Sequence, residues 1–124
     1  MNMSKKPYAI WEVNETEYKL KLKTATVAQL EEKLGRSLAD VICTDGMPPL
    51  SIMLTIVHGA MKDWNANLKR KDVDDLFDQY VEEGGSQLEF FATTFMEIYK
   101  VSGFFTTKQI QEMEMNQEKI QEAL

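Results

Sequence analysis

The amino-acid sequence predicts a mainly α-helical domain with a small N-terminal β-hairpin, an α+β fold arranged around one central apolar helix. Three observations predict it. Apolar and polar side chains alternate near the N-terminus, apolar residues recur every three or four positions over most of residues 26–102, and no glycine or proline follows Gly103. We therefore expect one compact globular domain over residues 1–103 and a polar tail, helical or disordered, over residues 104–124.

The most apolar segment, residues 48–65, is predicted to form the central helix. Its main apolar stripe consists of Leu50, Met53, Leu54, Val57, Ala60, Met61 and Trp64. A proline pair at the start suits a first helical turn, where the missing N–H would have had no intrahelical partner. Ile52 and Ile56 lie outside the stripe, and a helix that is apolar most of the way round is normally enclosed by other elements. The remaining elements are therefore expected to surround this helix.

Residues 7–23 alternate in the way expected of a β-hairpin. In the second half, Tyr18, Leu20 and Leu22 share one face and three lysines share the other. The aromatic and branched residues of the first half are Tyr8, Ile10, Trp11 and Val13. The polar run 14–17 is predicted to be the turn. Because a lone hairpin is only marginally stable in water, this one must pack against the helices.

Two short helices are predicted between the hairpin and the central helix. The first covers residues 26–35, with Thr26 at the N-cap, a glutamine three residues later as in a capping box, and Gly35 as the stop. The second covers residues 37–43, with Ser37 as its cap. Both would place leucine, valine and isoleucine side chains against the central helix.

Two longer amphipathic helices are predicted after the central helix. One covers residues 72–83, with Asp72 as its cap, an acidic outer face and a glycine pair at its end. The other covers residues 86–102, opened by a capping box at Ser86 and closed by Gly103. The predicted inward residues are Val73, Leu76, Phe77, Tyr80 and Val81 in the first, and Leu88, Phe91, Phe95, Ile98, Tyr99 and Ser102 in the second.

Composition narrows the class of protein. The net charge is −6, whereas a general nucleic-acid surface requires a basic field, so no nucleic-acid partner is expected. A single cysteine, Cys43, excludes an intrachain disulfide and suits a reducing compartment. The N-terminal residues lack the apolar core of a signal peptide, and no apolar stretch reaches the length of a membrane span. We expect a cytoplasmic protein without a membrane partner.

The sequence offers few groups for catalysis or metal binding. His58 is the only histidine, and a partly buried, hydrogen-bonded role is favoured over acid–base chemistry. One histidine and Cys43 are too few for a structural zinc site, which usually takes four such ligands. The four aspartates between Asp72 and Asp78 follow helical spacing and lack the alternate ligands and central glycine of a calcium loop. We therefore expect no enzyme activity, no cofactor and no metal.

The tail differs in composition from the preceding domain. Residues 106–124 are rich in Gln, Glu and Met, and their apolar positions form a short heptad-like seam interrupted by Gln117. Such a segment is frayed, docked on its own domain, or bound to a partner, and methionine suits adaptable contacts. The candidate partner-binding residues are Phe104, Phe105, Ile110, Met113, Met115, Ile120 and Leu124.

The order of these elements resembles the tail assembly chaperones of long-tailed phages and prophages, in particular the Gram-positive type. The most characteristic run is LKLKTATVAQLEEKLGRSL, residues 20–38, followed by PPLSIMLTIVHGAM, and the likeness covers roughly residues 18–99. It consists of a pattern of apolar positions together with LEEKLGRSL, with no catalytic signature.

The resemblance implies a non-enzymatic role in virion morphogenesis. Members of that family bind the tape measure protein, a long helical chain that sets tail length, and keep it soluble until tail tube subunits polymerise around it. It also implies a cytoplasmic location in an infected or lysogenic bacterial host, absence from the mature virion, self-association and, in many members, a longer product made by frameshifting. The alternative is a generic protein-interaction module or phage regulator without catalytic activity, and an enzyme is the third class.

Overall fold

The computed structural model describes residues 6–43 and 46–123, with side chains as far as residue 116, and shows a mainly helical α+β domain. Helix α5 covers residues 87–101 and contains a π-helical turn at Phe91–Phe95 between two α-helical segments, Gln87–Phe90 and Met96–Val101. The other elements are β1 Ala9–Val13, β2 Thr16–Leu20, α1 Thr24–Leu34, α2 Leu38–Cys43, α3 Leu50–Met61, α4 Arg70–Glu82 and α6 Thr107–Ala123.

The predicted hairpin is confirmed, but its turn is tighter than expected. The two strands pair antiparallel from Ala9↔Leu20 to Val13↔Thr16, so only Asn14 and Glu15 remain in the turn. Both have positive φ angles, 52° and 64°, which is the conformation that matches a two-residue turn to the twist of its strands. The predicted four-residue turn over 14–17 was wrong because Thr16 and Glu17 have partners in β1.

The hairpin packs through one face and is attached to the ends of two helices. Ala9, Trp11 and Val13 are buried in β1, whereas Ile10, predicted as an apolar position of the hairpin, is 46% exposed. The backbone N–H of Lys21 donates to the Ala60 carbonyl at 3.0 Å, and the N–H of Leu22 donates to the Ser102 hydroxyl at 3.0 Å. The ends of α3 and α5 therefore supply the packing that an isolated hairpin lacks.

Helix α3 is central, as predicted, although it is shorter than residues 48–65. It begins after Pro49 and gives way to turns, in which the N–H of Trp64 donates to the Met61 carbonyl at 3.1 Å. Trp64 is therefore 40% exposed and lies edge-on against Tyr8 instead of completing the buried stripe. Ile56 is fully buried, which agrees with a helix enclosed on more than one face.

Two helices begin earlier than predicted. Helix α1 starts at Thr24 with Lys23 at the N-cap, so Thr26 lies inside the first turn and does not cap the helix. Helix α4 starts at Arg70, and the Asp72 carboxylate accepts the N–H of Lys69 at 2.8 Å from within the helix. The acidic side chain still satisfies an N-terminal donor, but from the third helical position.

The predicted stop of α1 is confirmed at Gly35. This residue has φ = 71°, in the left-handed region, and its N–H donates to the Glu31 carbonyl at 2.9 Å. A Cβ added there would meet no atom within 4 Å, so only the backbone conformation disfavours a side chain.

Replacing Gly35 with alanine is therefore expected to lower the free energy of unfolding by about 1 kcal/mol, because non-glycine residues pay that order of energy in the left-handed region. Gly35→Asn is the matched control and should lose less, since asparagine tolerates this conformation better. Urea unfolding of both variants measures the difference. Equal losses would show that the backbone angle does not set the preference for glycine.

The core joins the hairpin, α3, α4 and α5. Trp11 contacts the rings of Tyr80 and Phe90, with centroids 5.9 Å and 5.1 Å away, and Phe77 lies 5.2 Å from Phe90. Val81, predicted to face inward, is instead 44% exposed near the end of α4. None of the helices described is long and apolar enough to cross a bilayer.

Candidate functional site

Helix α5 forms one wall of the candidate site, and Ser86 caps its N-terminus, which is one half of the predicted capping box. The Ser86 hydroxyl accepts the N–H of Glu89 at 3.1 Å. Phe90 and Phe95 are both fully buried, although five positions separate them. In a regular α-helix such residues point in different directions, but the i→i+5 hydrogen bonding of the π turn brings them toward one face.

The π turn changes which residues of α5 face solvent. At regular helical spacing Leu88 was predicted to face inward, but it is 69% exposed, while Phe90 occupies the core. The Thr93 hydroxyl donates to the Glu89 carbonyl at 2.6 Å inside the turn. Because the register shifts within α5, an apolar side chain remains at the surface of its first turn. The sequence carries no simple signal for this shift.

Helix α6 forms the other wall and is held at its start by a capping box. The N–H of Thr106 donates to the Gln109 side-chain oxygen at 2.8 Å, and the N–H of Gln109 donates to the Thr106 hydroxyl at 3.1 Å. This box was not predicted from the sequence, although Thr-x-x-Gln is its usual signature. Phe104 lies 4.6 Å from the Tyr99 ring, and Ile110 is 3% exposed. The first turns of α6 are therefore docked on the domain.

A buried lysine lies where α5 and α6 meet. Lys100 is 8% exposed, and its ammonium pairs with the Glu97 carboxylate at 3.1 Å. Glu97 also faces the ammonium of Lys6 at 3.9 Å. The aliphatic stem of Lys100 is thus available to line a surface while its charge is satisfied by a carboxylate.

Between α5 and α6 lies an open groove of about 310 Å³, which we call the α5–α6 groove. Its lining consists of Ala92, Met96, Lys100, Met113 and Asn116. Met96 and Met113 are both half-buried, so each methionine presents part of its side chain to solvent. Leu88, which is 69% exposed, lies four positions before Ala92 on α5 and is not part of the groove lining. The groove can accept apolar side chains, and its two methionines can adapt to their shape.

Of the predicted partner-binding residues whose side chains the structure describes, only Met113 lines this groove. Phe104 and Phe105 pack against the core, and Ile110 lies on the buried side of α6. These three side chains therefore serve internal packing. Met115 is 55% exposed on α6 but does not line the groove. The side chain of Ile120 and the whole of Leu124 lie outside the described residues. Ala92 and Met96, which were not predicted from the sequence, line the groove instead.

His58 and Cys43 are among the few side chains that the sequence offers for catalysis or metal binding. His58 Nε2 lies 2.8 Å from the Leu68 carbonyl, and because a carbonyl only accepts, this nitrogen donates the hydrogen. The prediction of a partly buried, hydrogen-bonded histidine is confirmed. Cys43 is exposed. Within residues 6–43 and 46–116, whose side chains the structure describes, no three His, Cys, Asp or Glu residues converge in a way that could hold a metal ion.

The folded structure raises the pKa of two tyrosine side chains. Burial raises the pKa of Tyr99, whose hydroxyl donates to the Leu38 carbonyl at 2.8 Å. Burial, followed by the nearby charge of Glu89, raises the pKa of Tyr80. Both shifts favour the neutral phenol, which suits packing side chains and gives no nucleophile at neutral pH.

Fold and site together define a small α+β domain that presents an apolar groove between its last two helices. The chain belongs to a family of unknown function, DUF6096, which it matches over residues 4–124. The match includes the tail as well as the preceding domain. No curated protein and no solved structure matches the chain.

Proposed function

We propose that this protein is a phage tail assembly chaperone, which binds the tape measure protein through the α5–α6 groove and keeps it soluble during tail morphogenesis. The observation that carries the proposal is the open groove lined by Ala92, Met96 and Met113, in which both methionines are half-buried. The sequence resemblance over residues 18–99 supplies the identity of the client. The role is non-catalytic and is carried out in the cytoplasm of the bacterial host, before the virion is complete.

The groove has the physical properties that a helical client requires. An amphipathic helix binds by placing apolar side chains from successive turns into a groove between two helices. Met96 and Met113 supply polarizable side chains with several rotatable bonds, which can follow a series of different apolar residues along a long chain. A client with many such segments would then be covered by several copies of the chaperone.

The charge of the chain supports the same role. A net charge of −6 keeps the chaperone soluble while part of its apolar surface is covered by client. The exposed side of α4 carries Asp74, Asp75 and Asp78, so the complex would keep an acidic exterior.

Self-association, contact with tail tube protein and a frameshifted longer product belong to the same proposal.

The groove is tested by comparing two methionines on the same helix. Met113→Glu places a charge in the groove and should weaken client binding about tenfold or more, because burying an unpaired carboxylate costs more than 1.4 kcal/mol. Met115→Glu makes the same chemical change two residues away, outside the groove lining, and should leave binding within about twofold of wild type. Point variants are preferred to removal of residues 106–124, because that deletion also removes buried Ile110.

The client for this measurement is the tape measure protein, which the resemblance places in the gene immediately downstream, co-expressed with the tagged chain. We expect it to aggregate alone, to be recovered in a soluble complex with wild type and Met115→Glu, and to be lost with Met113→Glu. Circular dichroism and thermal melting of both variants establish that they are folded. No complex and no gain in client solubility with wild type would overturn the chaperone function. A complex that Met113→Glu leaves intact would place the client on another surface.

A further inference from the structure

A second cleft lies between α1, α3 and the start of α4, and its lining is basic. Three cationic side chains, Lys33, Lys62 and Arg70, line this space of about 140 Å³ together with Thr26 and Thr55. We call it the basic cleft. Within the described part of the chain its lining includes no aspartate or glutamate, although the protein as a whole has 20 acidic and 14 basic residues.

Two of the three cations have no partner that satisfies their charge. The side chains of Lys33 and Lys62 are exposed, and their ammonium groups form no ion pair or hydrogen bond with the residues that the structure describes. Lys33 lies in the last turn of α1 and Lys62 directly follows α3, positions where a cation also offsets the helix dipole. That role explains each lysine separately, but it does not require them to share a cleft with Arg70.

Arg70 is held in place by three different groups. Its Nε donates to the Thr55 hydroxyl at 3.1 Å, its Nη2 donates to the Ser51 carbonyl at 3.3 Å, and its Nη1 pairs with the Asp74 carboxylate. These contacts use three of the five N–H donors of a guanidinium, so two remain for a ligand. Because the side chain is already ordered, binding through it costs less conformational entropy than binding through a free arginine.

We propose that the basic cleft binds a phosphate-sized oxyanion, which Lys33 and Lys62 contact through their ammonium groups and Arg70 through its two remaining donors. The volume is well below the roughly 300–1,000 Å³ of pockets that hold drug-sized ligands, so a single phosphate group fits the cleft better than a whole nucleotide. The same chemistry is carried by free inorganic phosphate and by a small phosphomonoester. This site is separate from the α5–α6 groove and does not depend on the chaperone function.

The proposal is tested by recording amide NMR spectra of the full chain during titration with inorganic phosphate and, separately, with glycerol phosphate. Sodium chloride keeps the ionic strength constant, since exposed charges respond to salt alone. We expect saturable shifts at the amides of Thr26, Thr55, Lys62 and Arg70. Tighter binding of one of the two probes identifies whether free phosphate or a phosphomonoester is the better ligand.

The matched variants change equal charge inside and outside the cleft. The double variant Lys33→Gln with Lys62→Gln should weaken phosphate binding about tenfold or more, because the anion loses its charge-assisted hydrogen bonds to both ammonium groups. Lys71→Gln with Lys108→Gln removes two exposed lysines that do not line the cleft and should leave the affinity nearly unchanged. All four side chains are exposed, so both double variants are expected to fold. Shifts that do not saturate, or equal weakening by both double variants, would overturn the site.

Discussion

Replacing Trp11 with alanine is expected to destabilise the domain by about 3–5 kcal/mol, the range typical of removing a buried aromatic side chain. Trp11 is 1% exposed and lies edge-on against the rings of Tyr80 and Phe90. Alanine would leave a cavity where the hairpin, α4 and α5 meet. Because the free energy of unfolding of native proteins is only about 5–15 kcal/mol, this loss should move the urea midpoint of the variant well below that of the wild type. Urea unfolding followed by circular dichroism measures the loss.

Trp11→Phe is the control that separates packing from hydrogen bonding. The Trp11 indole Nε1 is buried without a hydrogen-bond partner among the described residues, so its N–H contributes a penalty to the folded state. Phenylalanine keeps an aromatic ring and removes this donor. We expect it to cost less than half as much as alanine. Equal destabilisation by both variants would show that the ring contacts are not the source of the stabilisation.

Removing the hydroxyl of Tyr99 is expected to cost about 1–3 kcal/mol at neutral pH, the usual penalty for leaving a buried polar group unpaired. The hydroxyl donates to the Leu38 carbonyl, and that carbonyl has no water to replace it because Tyr99 and Leu38 are both fully buried. The variant Tyr99→Phe keeps the ring and its contact with Phe104. Urea unfolding at neutral pH measures the cost.

The difference between wild type and Tyr99→Phe should shrink in alkali. Burial raises the pKa of Tyr99 in the folded state, so above about pH 10 the unfolded chain releases the phenolic proton while the folded chain keeps it. The unfolded state then binds fewer protons, and the stability of the wild type falls by up to about 1.4 kcal/mol per pH unit from this group. Tyr99→Phe lacks the group and escapes that part of the loss.

Unfolding both proteins between neutral pH and pH of about 11 tests the sign, because the two chains differ only in the Tyr99 hydroxyl. A difference that stays constant or widens with pH would contradict a raised pKa for Tyr99. Tyr80, whose pKa is also raised, contributes the same fall to both proteins and cancels from the comparison.

Much of the fold could be predicted from the sequence because it depends on residues close together in the chain. The alternation of Leu20 and Leu22 with lysines predicted the hairpin, and the apolar spacing within residues 50–61 predicted the central helix. Gly35 predicted the end of α1, where it takes the left-handed conformation. Each of these patterns expresses a local rule of periodicity or backbone geometry, which a single sequence is able to show.

Only the tertiary structure decided the register of α5, the docking of α6, and the positions of the α5–α6 groove and the basic cleft. In α5, which contains the π turn, Phe90 lies in the core and contacts the rings of Trp11 and Phe77. Leu88, two residues earlier, remains at the surface. Such contacts, like the hydrogen bond from Tyr99 to Leu38 across 61 positions, join residues far apart in the chain. By itself the sequence determined which elements form, since short-range spacing governs helices and turns. Which side chains face solvent, and therefore where a partner or an anion would bind, was decided by the long-range packing between those elements.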